Sequence, residues 1–132
     1  MKSIKRNFLT LMLAMGSAGM VMAADYGLPA AIQDGNILHC FNWTMADVKA
    51  ELPNIAAAGF GSVQLSPLQR ADVRQGSPWH DLYRPYDLAF KSSGMGSEQD
   101  LKSLCEEAAS YGIKIIVDVV ANHVDKTSGY HD

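Results

Sequence analysis

Apolar residues recur along this chain in two alternating rhythms. Three short runs, residues 36–41 ("NILHCF"), 62–67 ("SVQLSP") and 114–120 ("KIIVDVV"), have the β-branched and aromatic content of strands. Between them Val48, Leu52 and Ile55, and later Leu101, Leu104, Cys105, Ala108 and Tyr111, fall near helical spacing and predict two amphipathic helices. Each begins with a capping signal, Thr44 paired with Asp47 and Ser97 with Asp100. Gly59 follows "NIAAA" where a helix would end in the left-handed conformation, and the second helix should stop near Gly112. Pro53 is expected to kink the first helix or divide it in two.

The stretch from Pro67 to Gly96 is rich in Gly, Pro, Ser and aromatic residues, and it reads as one long loop. Gly94 and Gly96 supply the turn that leads into the Ser97 cap. Strand, helix, strand, long loop, helix, strand is the order that builds a parallel sheet with right-handed crossovers, so the fold class is α/β. In a barrel made of such units the carboxyl ends of the strands carry the functional residues. Asn122 and His123 stand at one such end, and the long loop leaves another.

The third run is unusual in chemistry. "IKIIVDVV", residues 113–120, is almost continuously apolar and suits a strand covered on both faces. Asp118 inside it would lose hydration, which requires a charged or hydrogen-bonding partner. None is evident nearby in sequence.

Composition narrows the classes. The 132 residues carry a formal net charge of -3 with 19% charged residues, which argues against a polybasic nucleic-acid surface. Lys2, Lys5 and Arg6 precede an apolar run from Phe8 to Val21 that ends in Ala23 and Ala24. This is the order of a secretory signal peptide, residues 1–23, cut after Ala23. The run is short for a span of roughly 20 residues and is diluted by glycines, so a secreted or periplasmic protein is expected rather than a stable membrane anchor. Cys40 lies in a strand-like run and Cys105 on the apolar side of a helix-like one, so two buried free thiols are expected rather than a disulfide.

Within the long loop, "SPWHDLYRPYDL" sets Trp79, Tyr83 and Tyr86 among His80, Asp81, Arg84 and Asp87. Aromatic faces stack on the C–H edges of sugar rings while interleaved polar groups bond hydroxyls. The same aromatics could equally pack a loop against a barrel. His80 with Asp81, and His131 with Asp132, lack a third ligand at useful spacing and read as solvated loop residues. Neither a Gly-rich phosphate loop after a strand nor a G-x-S-x-G elbow is present in the sequence.

"DVVANH", residues 118–123, resembles the conserved end of the third barrel strand in the alpha-amylase family, glycoside hydrolase family 13. Other segments agree in order: "LHCFNW" resembles that family's first strand, "GSVQLSP" its second, "WHDLYRPYDL" its aromatic substrate loop and "GSEQDL" the start of its next helix. The resemblance implies a partial (β/α)8 barrel over residues 24–132, comprising the first three strands and the helices between them. It implies that Asn122 is a calcium ligand and that His123 bonds the sugar at the bond-breaking subsite. It further implies that Asp118 supports this site, with an Arg on the fourth strand as its usual partner. Tyr83 would stack under the same sugar and Trp79 would form a neighbouring platform; at His80 the family often has another residue.

The activity implied is retaining hydrolysis of α-1,4-glucosidic bonds in starch-like glucans, which needs two carboxyl groups about 5 to 5.5 Å apart. No catalytic residue is assigned here, because the family's nucleophile and acid/base sit on later strands than the three read in this sequence. The isolated polypeptide is therefore expected to hydrolyse no starch, to bind calcium weakly or not at all, and to expose an open sheet edge. The alternative is a non-catalytic carbohydrate-binding module with Trp79, Tyr83 and Tyr86 as its platform.

Overall fold

The computed structural model describes residues 25–71, 73, 78–90 and 92–128. Residues 1–23, expected above to be a signal peptide, and the His131–Asp132 pair lie outside the described residues. Five elements carry the architecture: β1 (Asn36–Cys40), α1 (Met45–Ala57), β2 (Phe60–Leu65), α2 (Glu98–Ser110) and, after a small antiparallel ladder of β3 (Ser92–Ser93) and β4 (Gly96–Ser97) ahead of α2, β5 (Lys114–Val117). The sheet order is β1-β2-β5 with both pairings parallel, the topology expected of successive strand-helix units.

Register explains the placement of the core. Leu38, Val63 and Ile115 lie level across the three strands, as do Cys40, Leu65 and Val117 one pleat further along. Except for Val117, these residues join the buried cluster under the helices with Val48, Leu52, Leu104 and Ala108. Side chains of opposite parity, Ile37, His39, Gln64 and Ile116, take the other face. That face is open: Ile37 and Phe41 are 47% and 41% exposed. Among the described residues, β1 and β5 each pair on one side only.

Both helices start as the capping signals require. Thr44 and Asp47, and Ser97 and Asp100, form reciprocal capping boxes in which each hydroxyl accepts from the backbone N–H three residues on. Gly59 and Gly112 adopt positive φ where the helices end. Gly96, the first residue of β4, sits at φ 135°, a backbone conformation that favours a glycine where the chain enters α2.

Four expectations need correction. The helix α1 is not divided at Pro53: it runs on as one element, with Pro53 exposed while Leu52, Ile55 and Ala56 anchor the flanking turns in the core. The strands are displaced by one to three residues: β1 stops at Cys40, β2 spans Phe60–Leu65 and β5 ends at Val117. Each strand stops where its backbone partner runs out, which apolar content does not report. Cys40 is buried as expected, but Cys105 is exposed, because the buried stripe of α2 is centred on Leu104 and Ala108 and Cys105 falls on its flank. The long loop is partly structured, with a 3-10 turn over Trp79–Tyr83 held down by buried Leu82 and Pro85.

Candidate functional site

The site forms where the strands end. The β1 exit turns sharply at Asn42, whose φ of 61° is tolerated by an asparagine. Its backbone N–H donates to Ser66 Oγ at 2.9 Å, which ties the ends of β1 and β2 together. From β2 the chain passes through Pro67 and Leu68, both buried, into the loop. Arg70 then holds the far limb of that loop: Tyr86 N–H donates to its carbonyl at 2.7 Å and its own N–H donates to Ala89 O at 3.2 Å. Its guanidinium pairs with Asp87 at 2.8 Å and lies 5.7 Å from the Tyr86 ring centre. Tyr86 is thus packed against Arg70, and among the described residues it makes no ring contact with Trp79 or Tyr83.

The loop and the end of β5 meet at Tyr83. Its hydroxyl donates to Asp118 Oδ2 at 3.2 Å. Burial and the neighbouring Asp118 charge push the Tyr83 phenol above its ordinary value, so it is a neutral donor around pH 7. His123 Nε2 lies 2.9 Å from the Tyr83 carbonyl. A carbonyl only accepts, so Nε2 carries the proton and Nδ1 is the ring nitrogen left for another group. Further on, Asp125 N–H donates to Pro85 O at 2.8 Å.

Asp118 therefore has a partner that its sequence neighbourhood did not reveal, 35 residues away in the aromatic loop. It lies one residue past β5 and is partly rather than fully buried, which lightens the desolvation that its position in a valine run implied.

Trp79 stands beside Tyr83 with 53% of its surface exposed. Phe41, His80 and Tyr83 approach its ring at centroid distances of 5.7, 5.8 and 6.1 Å and at interplanar angles of 53°, 81° and 75°. None of these three lies parallel on the ring, so they brace the indole without stacking flat on it. Phe41 was not singled out as a site residue by sequence reading; its only signal was its place at the end of the strand-like run "NILHCF". His80 is exposed and lies 3.4 Å from the Asp81 carboxylate, in keeping with a solvated loop pair.

Asn122 is exposed on the wall of an open cleft of about 620 Å³ between residues 87–89 and 121–124. Calcium takes six to eight oxygen ligands, and this side chain offers one. Among the described residues no three His, Cys, Asp or Glu side chains converge as a metal group.

The chain is similar to known proteins over most of its length. No protein-family model matches it. An alpha-amylase of Clostridium acetobutylicum is 48% identical over 99 residues, which cover 74% of this chain and 13% of that protein. The structure of alpha-amylase I from Eisenia fetida in complex with maltohexaose matches with a TM-score of 0.62 at 28% identity, covering 69% of this chain and 18% of the other. An alpha-amylase from Geobacillus thermoleovorans complexed with acarbose matches with a TM-score of 0.61 at 26% identity, covering 73% and 25%. The chain thus spans a quarter or less of the length of each of these relatives.

Proposed function

We propose, from the premise that this chain belongs to the alpha-amylase family, that it supplies the first three strand ends of a secreted retaining glycosidase acting on α-1,4-linked glucans. Trp79 and Tyr83 stack against successive glucose rings. His123, held by the Tyr83 carbonyl, turns Nδ1 toward a sugar hydroxyl. Asp118 fixes the Tyr83 hydroxyl and through it the ring. Asn122 gives one oxygen to a calcium ion whose other ligands come from elsewhere in a longer protein, and residues 1–23 direct export. The double displacement itself, with its nucleophile and acid/base carboxyl groups, belongs to later strands.

One observation carries this reading. Tyr83 joins the aromatic loop to the end of the third parallel strand through both its hydroxyl and its carbonyl, with the half-exposed Trp79 ring alongside. Two residue groups far apart in sequence, both expected from the resemblance to contact sugar, are brought into one surface. The sequence contains two tryptophans, Trp43 and Trp79, so maltoheptaose titration followed by tryptophan fluorescence is a direct test. The expected result is a weak, saturable change that disappears in Trp79→Ala and persists in Trp43→Phe. An identical response in both variants would sink the reading.

A further inference from the structure

Gln69 has no part in the roles assigned above, yet both ends of its side chain are engaged beside them. Only 4% exposed, it donates from Nε2 to Val120 O at 2.9 Å and accepts at Oε1 from Val120 N–H at 2.7 Å. The carboxamide therefore pairs with the Val120 peptide as a neighbouring strand would. The backbone ladder has already stopped at this point. Its last contact is Asp118 N–H to Leu65 O at 3.4 Å, and Pro67, shortly beyond on the β2 side, has no N–H to continue it. Gln69 restores a rung two residues further along the strand that leads to the site.

From Val120 onward, that rung is the first of three hydrogen-bonded holds seen among the described residues. The second is His123 Nε2 on Tyr83 O, and the third is Asp125 N–H on Pro85 O. Ala121 and Asn122, both exposed, bridge the gap between the first two holds along the cleft wall. A buried two-point clasp fixes both the height and the rotation of the peptide from which they project. A single hydrogen bond would fix only a distance.

We propose that Gln69 is a positioning residue: by pairing with the Val120 peptide it sets the backbone that presents Asn122 and His123, without touching a ligand itself. The consequence for sugar affinity rests on the function proposed above; the positioning does not. A residue that merely filled polar space in the core would act on the whole fold, so the test separates local from global effects in the 132-residue chain.

Two substitutions are informative. Gln69→Met keeps the length and removes both bonds. Gln69→Glu reproduces both when its carboxyl group is protonated and loses the donor when it ionises. Amide hydrogen exchange should show Val120 protection falling about tenfold or more in Gln69→Met, as expected when a buried peptide loses its partners. The amides of the β1-β2-β5 ladder should stay protected, and the His123 ring should lose its fixed Nε2–H tautomer by nitrogen NMR. In Gln69→Glu, Val120 protection should return as pH falls. Unchanged Val120 protection in Gln69→Met, or a loss spread evenly over the sheet, would overturn the proposal. If the exchange pattern appears and the unsubstituted chain gives no fluorescence response to maltoheptaose, the positioning stands and the sugar reading fails. If the unsubstituted chain binds maltoheptaose and Gln69→Met binds it equally well with Val120 unprotected, the role in presenting His123 is refuted.

Discussion

Replacing Tyr83 with Phe isolates the link between the aromatic loop and the end of β5. The ring and the carbonyl that holds His123 remain; only the hydroxyl that donates to Asp118 is lost. A hydrogen bond to an ionised group contributes about 1.5–3 kcal/mol. This one is 3.2 Å long, beyond the usual O–H···O range, and Asp118 is partly exposed, so about 1 kcal/mol is the better figure. For a domain of this size that corresponds to a fall in Tm of roughly 4–8 °C. The assay is urea or thermal unfolding at low micromolar concentration, where pairing of open sheet edges between copies is suppressed.

The pH dependence supplies a second readout. The phenol is held above its ordinary value of 10.0 by burial and by Asp118, so the folded state favours the neutral form. The Tyr83 contribution is therefore complete below pH 10 and is lost as pH rises through the higher folded value. The stability gap between the native chain and Tyr83→Phe should be constant near neutrality and shrink at strongly alkaline pH. Equal stability at pH 7, or a gap that stays constant through the alkaline range, would refute the linkage.

Three further outcomes are expected. Thr44→Ala and Ser97→Ala each remove a capping-box hydroxyl and should each cost about 1 kcal/mol, read by urea unfolding, with Thr44→Ser retaining most of the stability. Alkylation of the folded chain should reach exposed Cys105 first and buried Cys40 only after unfolding. Both thiols are pushed up by desolvation, so the Cys105 rate should climb with pH above neutrality, which mass spectrometry of timed samples would show. The purified chain should release no reducing sugar from amylose, and added calcium should leave its melting curve unmoved, since Asn122 is a single ligand.

The fold class was legible because it rests on local periodicity. Valine and isoleucine runs, two helical stripes and two capping boxes each report on a few neighbouring residues, and each appears in the structure in the expected order. Element boundaries were less legible. A strand ends where its partner's backbone diverges, and Val119 and Val120 read as strand although β5 stops at Val117. The exposure of Cys105 depended on where the core lies around α2, which a helical repeat locates only within one flank.

The sequence by itself determined which residue types were available to the candidate site: Trp79, Tyr83, Asp118, Asn122 and His123 stand in segments that resemble one family. Only the tertiary structure decided how they are held. Tyr83 bonds Asp118 and His123, Phe41 braces Trp79, and Gln69 clasps Val120 across separations of 35 to 51 residues in the hydrogen-bonded pairs. No periodicity encodes such pairs, because each depends on where three strands end in space and not on the residues beside it in the chain.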